Sequence, residues 1–403
     1  VDIPTVLCGL LAAVAALPAL DAYLRLRRLG RPLAPARGGE KPNRLLVLVP
    51  SRGEGTRVAD LAADVRREAT TAGAATTADL RVLLDGPDPE AAARLESEGV
   101  LYLSKNPPGP AKGHALAFLA QRLGSELDAF DFVLVFDADM RLPRGFFADL
   151  AISPGTEVFQ LPVRPAGVPG SGAPRVEALS LAQAARDDLA RDAEGLPVRL
   201  RGKAMGFSPR AFRFGPAAAT RTTAEDSEAT LLLFASGIRV RALEAPVAFD
   251  EPVSSTRAMS GSRARWLGGH LKLLFTGFVD LLKIAAKSPK GAFVLACDLW
   301  LRPRLFVLVA LAFLAIGADI ALLFFSSKGA WRVLFLLVLS LEAKLALVFE
   351  GLSVVALRRH IGTPPETPAV TLSDLFSSLA MWARAAGRAL VVPSRWHRAR
   401  PPA

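Results

Sequence analysis

The chain has 403 residues, 51% of them apolar, and a formal net charge of +11; its mean hydropathy is +0.32 and its pI about 10.2. That length allows more than one domain, and that hydropathy is high for a wholly water-exposed protein. Nucleic acid is set aside as a partner, because there is no zinc-finger spacing and no basic run interleaved with aromatics. The two cysteines, Cys8 and Cys297, both lie in apolar stretches, which excludes a disulfide framework or a cysteine-held metal cluster.

Residues 3–20 form an apolar segment with no positive charge before it and RLRRLGR after it, which predicts a membrane helix (over 1–24) rather than a cleaved leader. A basic linker over 25–43 follows. From 44 to 163 strands and helices alternate. RLLVLVP is a strand, 54–69 a helix, DLRVLLD a strand, and PDPEAAARLESEG a helix that starts on proline and ends on glycine. VLYLSKN is a third strand, GHALAFLAQRL a helix, and FVLVFDADM, over 132–140, a fourth strand. Such alternation predicts an α/β fold with a mostly parallel sheet, in which ligands bind at the carboxyl ends of the strands. Those ends carry Glu54, Asp85, Asp137 and Asp139. No G-x-G-x-x-G follows the first strand and no G-x-x-x-x-G-K-[ST] loop occurs, which sets aside a nicotinamide enzyme and a P-loop ATPase.

RPAGVPGSGAPR, over 164–175, is a loop, and a helix is predicted around 176–193. In TTAEDSEATLLLFASGIRV the acids Glu225, Asp226 and Glu228 open an apolar helix, a place where acids also serve as ordinary helix-terminus residues. SGSRARWLGGH sets Arg265 and Trp266 just before two mixed stretches, 271–286 and 372–392 being predicted to lie on a membrane surface or to be core helices. Residues 305–325 are almost wholly apolar and, as a helix, span about 31 Å, a bilayer core. A second candidate span, 333–357, contains Glu342, Lys344 and Glu350. About three spans, with the arginines Arg25, Arg27, Arg28, Arg31, Arg302, Arg304, Arg358 and Arg359 on one side, predict a multi-pass protein. Its central region and C-terminus would be cytoplasmic and its 326–332 loop outside.

Two acids one residue apart at the end of a buried strand are either solvated turn residues or a pair that calls for positive charge between them. Together with the order of the other motifs, they give the chain a resemblance to the membrane-bound family 2 glycosyltransferases of GT-A fold. That group includes cellulose, chitin and hyaluronan synthases and ceramide glucosyltransferases. The resemblance covers about 44–270. It implies a GT-A domain over 44–260, R-W and interface helices over 261–304, a membrane hairpin over 305–357, and a cytoplasmic tail with an amphipathic helix over 358–403. It implies a nucleotide-sugar donor, UDP-linked by expectation, a lipid or glycan acceptor, and a setting such as the bacterial inner membrane. Asp137 and Asp139 would hold a divalent cation, Mg2+ or Mn2+, that offsets charge on the leaving diphosphate. Pro50, Glu54, Asp85, Lys112, Asp137 and Arg265 match the nucleotide site. Gly202, Lys203, Met205, Glu225 and Trp266 match the acceptor side, and Asp226 matches the base that deprotonates the acceptor hydroxyl, with inversion at the anomeric carbon.

Three departures bear on what is made. The first-strand loop reads PSRGE, the base motif AED, and the last motif SRARW, with Ser262 where polymerising members have glutamine. Single transfer is therefore expected over a processive synthase that exports its polymer. In the polymerising reading, Asp319, Glu342, Lys344 and Glu350 would line a path; in the other they pair among themselves. A non-catalytic membrane scaffold of the same fold is the reading of another class, and it gives no reason for so many acids at strand ends.

Overall fold

The computed structural model describes residues 3–30, 39–72, 76–167, 171–251, 256–301, 304–325, 330–361 and 370–391. The chain divides into two compact units, one of residues 1–33 and 293–364, the other of 34–292 and 365–403.

The second unit begins with the alternation expected. Strand β1 (Arg44–Ser51) leads to α2 (Arg57–Thr71), β2 (Thr77–Asp85), α3 (Pro89–Ser97), β3 (Tyr102–Lys105), α4 (Lys112–Leu123) and β4 (Phe132–Val135), after α1 (Ile3–Leu29) of the other unit. In β1, Leu45, Val47 and Val49 face one core with Val58, Leu61 and Val65 of α2. Leu46 and Leu48 face the other, with Ala115, Leu116 and Leu119 of α4. A strand buried on both faces must be apolar at every position, which is why this stretch reads as a continuous hydrophobic run.

The fourth strand is shorter than expected. It stops at Val135, and residues 137–140 form a turn, with the Met140 N–H donating to the Asp137 carbonyl at 3.1 Å. Met140–Arg141 is a separate strand, β5. The apolar pair Phe136 and Met140 belongs to the core on either side of that turn rather than to one ladder.

The rest of the unit comprises β6 (Val158–Gln160), β7 (Val163–Pro165), α5 (Ala173–Ala193), β8 (Met205–Phe207), α6 (Pro209–Phe214), α7 (Glu225–Ala235), β9 (Val240–Ala242) and β10 (Ala248–Asp250). Helices α8 (Thr256–Thr276), α9 (Phe278–Lys287) and α10 (Pro289–Trp300) come next, and the unit boundary falls inside α10. Among the described residues the main sheet has seven strands in the order β3-β2-β1-β4-β8-β6-β9, and a small sheet has the order β5-β10-β7. Strands β3, β2, β1 and β4 are mutually parallel, while β8 runs antiparallel to β4 and β6. The chain winds outward from β1 to β3 and then returns to the opposite side of β1 as β4. The reversal opens a crevice at the carboxyl ends of β1 and β4, the usual ligand position of such sheets.

The stretch expected as one helix over 271–286 is broken at Gly277, where α8 ends and α9 begins; a Cβ there would come within 2.7 Å of Leu231 on α7. Helix α13 (Leu372–Val391) packs against α8 and α5, with Met381, Trp382 and Ala385 buried. Its Trp382 ring lies 6.0 Å from Trp266, and the Asp374 carboxylate accepts from the Gly172 N–H at 2.6 Å.

The first unit comprises α1, α11 (Arg304–Phe325) and α12 (Ala330–Ile361). Ala19, Leu311, Ala315, Ala343 and Ala346 form its buried seam, and its four alanines are small enough to let helices approach closely. Its charges pair: Lys344 with Asp319 at 2.8 Å, and Arg25 with Glu350. The Glu342 Oε2 atom is buried without a hydrogen-bond partner. Among the described residues no helix is long and apolar enough to cross a membrane; in α12 the reason is the run of Glu342, Lys344 and Glu350 inside the apolar stretch. The spans expected over 3–20 and 305–325 lie partly outside the residues whose side chains are described, and the 326–332 loop lies outside them.

The centre of the main sheet has no room to spare. Phe159 of β6 stands directly opposite Gly206 of β8, and a Cβ at 206 would lie 2.0 Å from its ring. Gly206→Ala is expected to cost about 1–3 kcal/mol, read as a lower urea midpoint, whereas Gly387→Ala, at an open position in α13, leaves it unchanged or raised.

Candidate active site

The loop after β1, Arg52–Gly53–Glu54–Gly55, turns back over the strand end because both glycines adopt left-handed φ values, +62° and +58°. It sets Glu54 beside the turn that carries Asp137 and Asp139. Burial and the Asp139 charge push Glu54 up to about 7. Asp137 moves the other way: burial opposes its ionisation, but Lys112, Lys203 and Arg265 outweigh burial and hold its carboxyl below the usual range.

Lys112 is the first residue of α4 and is buried. Its ammonium pairs with Asp137 and donates to the Gly202 carbonyl at 2.6 Å. The helix start reaches this depth because Gly113 has no side chain; a Cβ there would lie 1.7 Å from the Ala219 carbonyl oxygen.

The 202–204 loop is the second wall. Gly202 and Ala204 both have positive φ, +76° and +50°. The Gln160 amide holds the loop, donating to the Lys203 carbonyl at 2.8 Å and accepting from the Arg201 N–H at 2.9 Å. Lys203 pairs with both oxygens of Asp250 at 2.7 and 2.6 Å. Burial works against its charge, but Asp139, Asp250 and Asp137 more than offset it, so the lysine is held protonated. Asp250 is itself pushed up to about 6 by burial, with Lys203 opposing and Asp139 adding to the rise.

The first turn of α7 closes the third side. Glu225 and Asp226 both lie next to Gly202, where a Cβ would be 3.8 Å from Glu225 Oε1 and 3.7 Å from Asp226 Cβ. Burial and Asp226 push Glu225 up to about 7. Asp226 is largely buried, and its Oδ1 accepts from the Ser227 N–H at 2.7 Å. Arg265 of α8 faces the same group of acids: burial lowers its pKa, while Glu225, Asp137 and Glu54 oppose that.

One group of residues thus gathers Glu54, Lys112, Asp137, Asp139, Lys203, Glu225, Asp226 and Arg265. Asp85 stands in an adjoining subsite and is fully buried. Arg52 grips its carboxylate, Lys105 lies 3.3 Å away, and the Gly109 N–H donates at 2.9 Å. Pro50 and Met205 are placed elsewhere: Pro50 is buried in the β1 ladder, and Met205 packs in the core beneath the loop. Trp266 packs against His270, with ring centroids 3.8 Å apart and the planes tilted by 40°, and His270 Nε2 lies 3.3 Å from Ser227 Oγ, at the start of α7.

Sequence reasoning missed Arg52, Lys105, Gln160, Asp250 and His270. A signal existed for Asp250: VAFDEP, like LVFDAD in outline, is an apolar stretch that ends on an acid. Gln160 and His270 had none, because their roles are contacts with a remote loop and with the start of α7, respectively.

Among the described residues no group of three or more His, Cys, Asp or Glu is already assembled for a metal ion. The donor set still fits one. Asp139 Oδ1 is buried with no hydrogen-bond partner. Mg2+ in particular is often held by one or two carboxylates plus the phosphates of a substrate.

No protein-family model matches the chain, and no curated relative does. Solved structures similar to the chain include a mannosyltransferase and two synthases that form sugar-phosphoglycerate products. The mannosyltransferase PcManGT of Pyrobaculum calidifontis, in complex with GDP-Man and Mn2+, is 15% identical, with 85% of this chain and 97% of that one covered and a TM-score of 0.46. Glucosyl-3-phosphoglycerate synthase of Mycobacterium tuberculosis, in complex with Mn2+, UDP and glucosyl-3-phosphoglycerate, is 17% identical over 57% of this chain and 79% of that one, with a TM-score of 0.39. Mannosyl-3-phosphoglycerate synthase of Rubrobacter xylanophilus is 18% identical over 64% and 79%, also at 0.39. At these scores no residue role and no substrate passes from those proteins to this one.

The raised Glu54 has a consequence for stability. Its pKa rises from 4.5 unfolded to about 7 folded, so the native state binds the proton more tightly and loses stability as pH climbs through that window. Glu54→Gln removes the penalty. Its gain over the parent is expected to be absent at acid pH, to grow between 4.5 and 7, and to level off at on the order of 1–3 kcal/mol, measured by urea unfolding across pH.

Proposed function

We propose that the chain is a glycosyltransferase that moves a sugar from a nucleotide-sugar donor to an acceptor hydroxyl, with inversion. The observation that carries this reading is the gathering of acids and cations at the crevice between β1 and β4. The acids Asp137 and Asp139 and the cations Lys112, Lys203 and Arg265 meet there, with the acids of α7 on the far side of Gly202.

The roles follow from charge. The donor's diphosphate needs positive partners, and Lys112, Lys203 and Arg265 supply them within a partly dewatered wall, where each interaction is stronger than in bulk water. Asp137 and Asp139 would hold a Mg2+ or Mn2+ ion, which supplies further compensation for the charge of the leaving diphosphate. The Asp85 subsite, next along the sheet, receives the nucleoside. Asp226 takes the proton of the acceptor hydroxyl as its oxygen attacks the anomeric carbon. The bond from that carbon to the phosphate oxygen breaks, and its electron pair leaves with the nucleoside diphosphate. Attack from the face opposite the leaving group inverts the carbon. Glu225, pushed up to about 7, sits beside the base as a second acid near neutrality.

We take the acceptor to be a membrane-associated lipid or glycan and the donor to be UDP-linked. Support for a membrane setting comes from the many exposed apolar side chains of α11 and α12, among them Phe313, Ile316, Leu341 and Val348. Single transfer is favoured over polymer export, because Asp319 pairs with Lys344 and Glu350 with Arg25 rather than standing free to line a path.

The test is a donor screen: purified protein in lipid with a panel of nucleotide sugars, followed by released nucleoside diphosphate. For the donor found, Asp226→Asn should lower transfer by on the order of 10²–10⁴ while donor binding by calorimetry is retained. Asparagine caps a helix as well as aspartate does, so a capping role would leave turnover unchanged. Turnover close to the parent's would place the base elsewhere.

A further inference from the structure

We propose that Glu228 is a positioning residue for transfer: from the far side of α7 it fixes the loop that leads into Asp226 and so sets where that carboxylate points. Its part depends on Asp226 being the base. The three acids that open α7 are not alike. Acids at a helix start are ordinarily solvated and act only on the helix dipole, whereas Glu228 is fully buried. It follows Asp226 by two residues, about 200° round the helix, and so sits behind the turn whose front bears on the site.

Both oxygens of that carboxylate are used. Oε1 accepts from the Arg221 N–H at 3.1 Å and from its Nε at 2.9 Å, and Oε2 accepts from the Thr222 N–H at 2.9 Å. Ala224, at the N-cap, makes no side-chain cap bond, and Glu228 turns the entering loop back in its place. Arg221 carries the hold outward: Nη2 donates to Asp280 of α9 at 3.0 Å, and Nη1 to the Thr276 carbonyl at the end of α8 at 3.2 Å. Asp280 is itself buried. Within the loop, the Ala224 N–H donates to Thr222 Oγ1 at 3.2 Å, and Thr223 Oγ1 donates to the Arg265 carbonyl at 2.9 Å. On the other side of the turn, Thr230 Oγ1 donates to the Asp226 carbonyl at 2.8 Å and accepts from the Leu200 N–H at 3.1 Å. The turn that carries Asp226 is thus tied at its entry by Glu228 and beneath by Thr230. Releasing the entry tie leaves the base present but misaimed, and a displacement of about 1 Å at a reacting centre can cost on the order of 10² in rate. Lys112 and Lys203 stand on α4 and on the 202–204 loop, so donor binding does not depend on this tie.

The experiment uses the full chain in lipid and the nucleotide sugar of highest turnover among UDP-glucose, UDP-N-acetylglucosamine and GDP-mannose, read as released nucleoside diphosphate. In Glu228→Gln the loop N–H groups and the guanidinium meet one accepting oxygen and an amide NH2 instead of two oxygens. Its kcat is expected to fall by about ten- to a hundredfold, while the calorimetric affinity for UDP or GDP stays within about twofold of the parent's. That substitution also costs stability, so two further variants are read beside it. Asp280→Asn leaves Glu228 and its bonds to the loop in place and weakens only the outer end of Arg221; kcat is expected to fall by less, again with affinity kept. Leu95→Ala, in the fully buried core under α3, is destabilised away from α7 and should keep its kcat. The deciding comparison is a double-variant cycle. In an Asp226→Asn background, Glu228→Gln should lower kcat by no more than about twofold, because residues that act as a unit are not additive. The same factor in both backgrounds, or an equal loss in Leu95→Ala, would overturn the proposal, since Glu228 would then serve the fold alone. Amide hydrogen exchange across 219–226 needs no donor: it should quicken relative to the core strands in Glu228→Gln and Asp280→Asn but not in Leu95→Ala, and parental exchange in Glu228→Gln would also overturn the proposal. An Asp226→Asn variant as active as the parent sinks the base itself, whereas a disabled Asp226→Asn beside a Glu228→Gln of parental kcat sinks only the positioning role.

Discussion

The structure turns on one electrostatic constraint: two carboxylates, Asp137 and Asp139, one residue apart in a turn at the end of a buried strand. Unit charges about 4 Å apart repel by about 4 kcal/mol at the effective dielectric of a protein's outer layers, so the pair needs positive partners. Two lysines from different parts of the chain supply them. Lys112 comes from the start of α4 and pairs with Asp137. Lys203 comes from the loop before β8 and is held charged by Asp139, Asp250 and Asp137 against the effect of burial. Each lysine imposes further structure. Lys112 reaches the acids only because Gly113 lets the helix start press on Ala219, and its second bond fixes the Gly202 carbonyl. Lys203 reaches them only because Gly202 and Ala204 take left-handed backbone and Gln160 pins the loop.

The same arrangement leaves the site uneven in charge. Glu54 and Glu225, on opposite walls, are both pushed up to about 7 by burial and a neighbouring acid. Asp139 keeps an oxygen with no hydrogen bond. Added positive charge would therefore relieve strain that the lysines leave in place, and a bound diphosphate would in turn answer the lysines and Arg265. A cation and a diphosphate binding together satisfy both halves, which is why the proposed reading couples them.

Much of the sheet was legible from the sequence. Strands buried on both faces must be apolar throughout, so β1, β4 and the buried second half of β2 read as runs, and acids at their ends marked the crevice. The end of β4 misled because Phe136 and Met140 are as apolar as the strand, although they serve the core across a turn. The short strands β5, β7 and β10 had no pattern to find, being two or three residues long and defined by pairing with distant segments. The gathering of residues was legible where acids follow a strand, as at Asp137 and Asp139, and where a basic residue opens the next helix, as at Lys112. It was not legible where the partner is remote: the occupation of Asp85 by Arg52 and Lys105, and the contact of Trp266 with Trp382 of the last helix, depend on tertiary approach.

The most direct measurement is calorimetric titration of UDP and GDP into the purified full chain, with Mn2+ present and then with the metal chelated, in the parent and in Asp139→Asn. The account predicts that at least one nucleoside diphosphate binds in a cation-dependent manner. It also predicts that the variant, with one carboxylate charge fewer at the orphaned oxygen, loses that dependence and binds roughly tenfold or more weakly, as expected when a charged ligand's partner worth on the order of 1–3 kcal/mol is removed. Binding that is indifferent to chelation and equal in the variant, or no binding of either nucleotide, would contradict it.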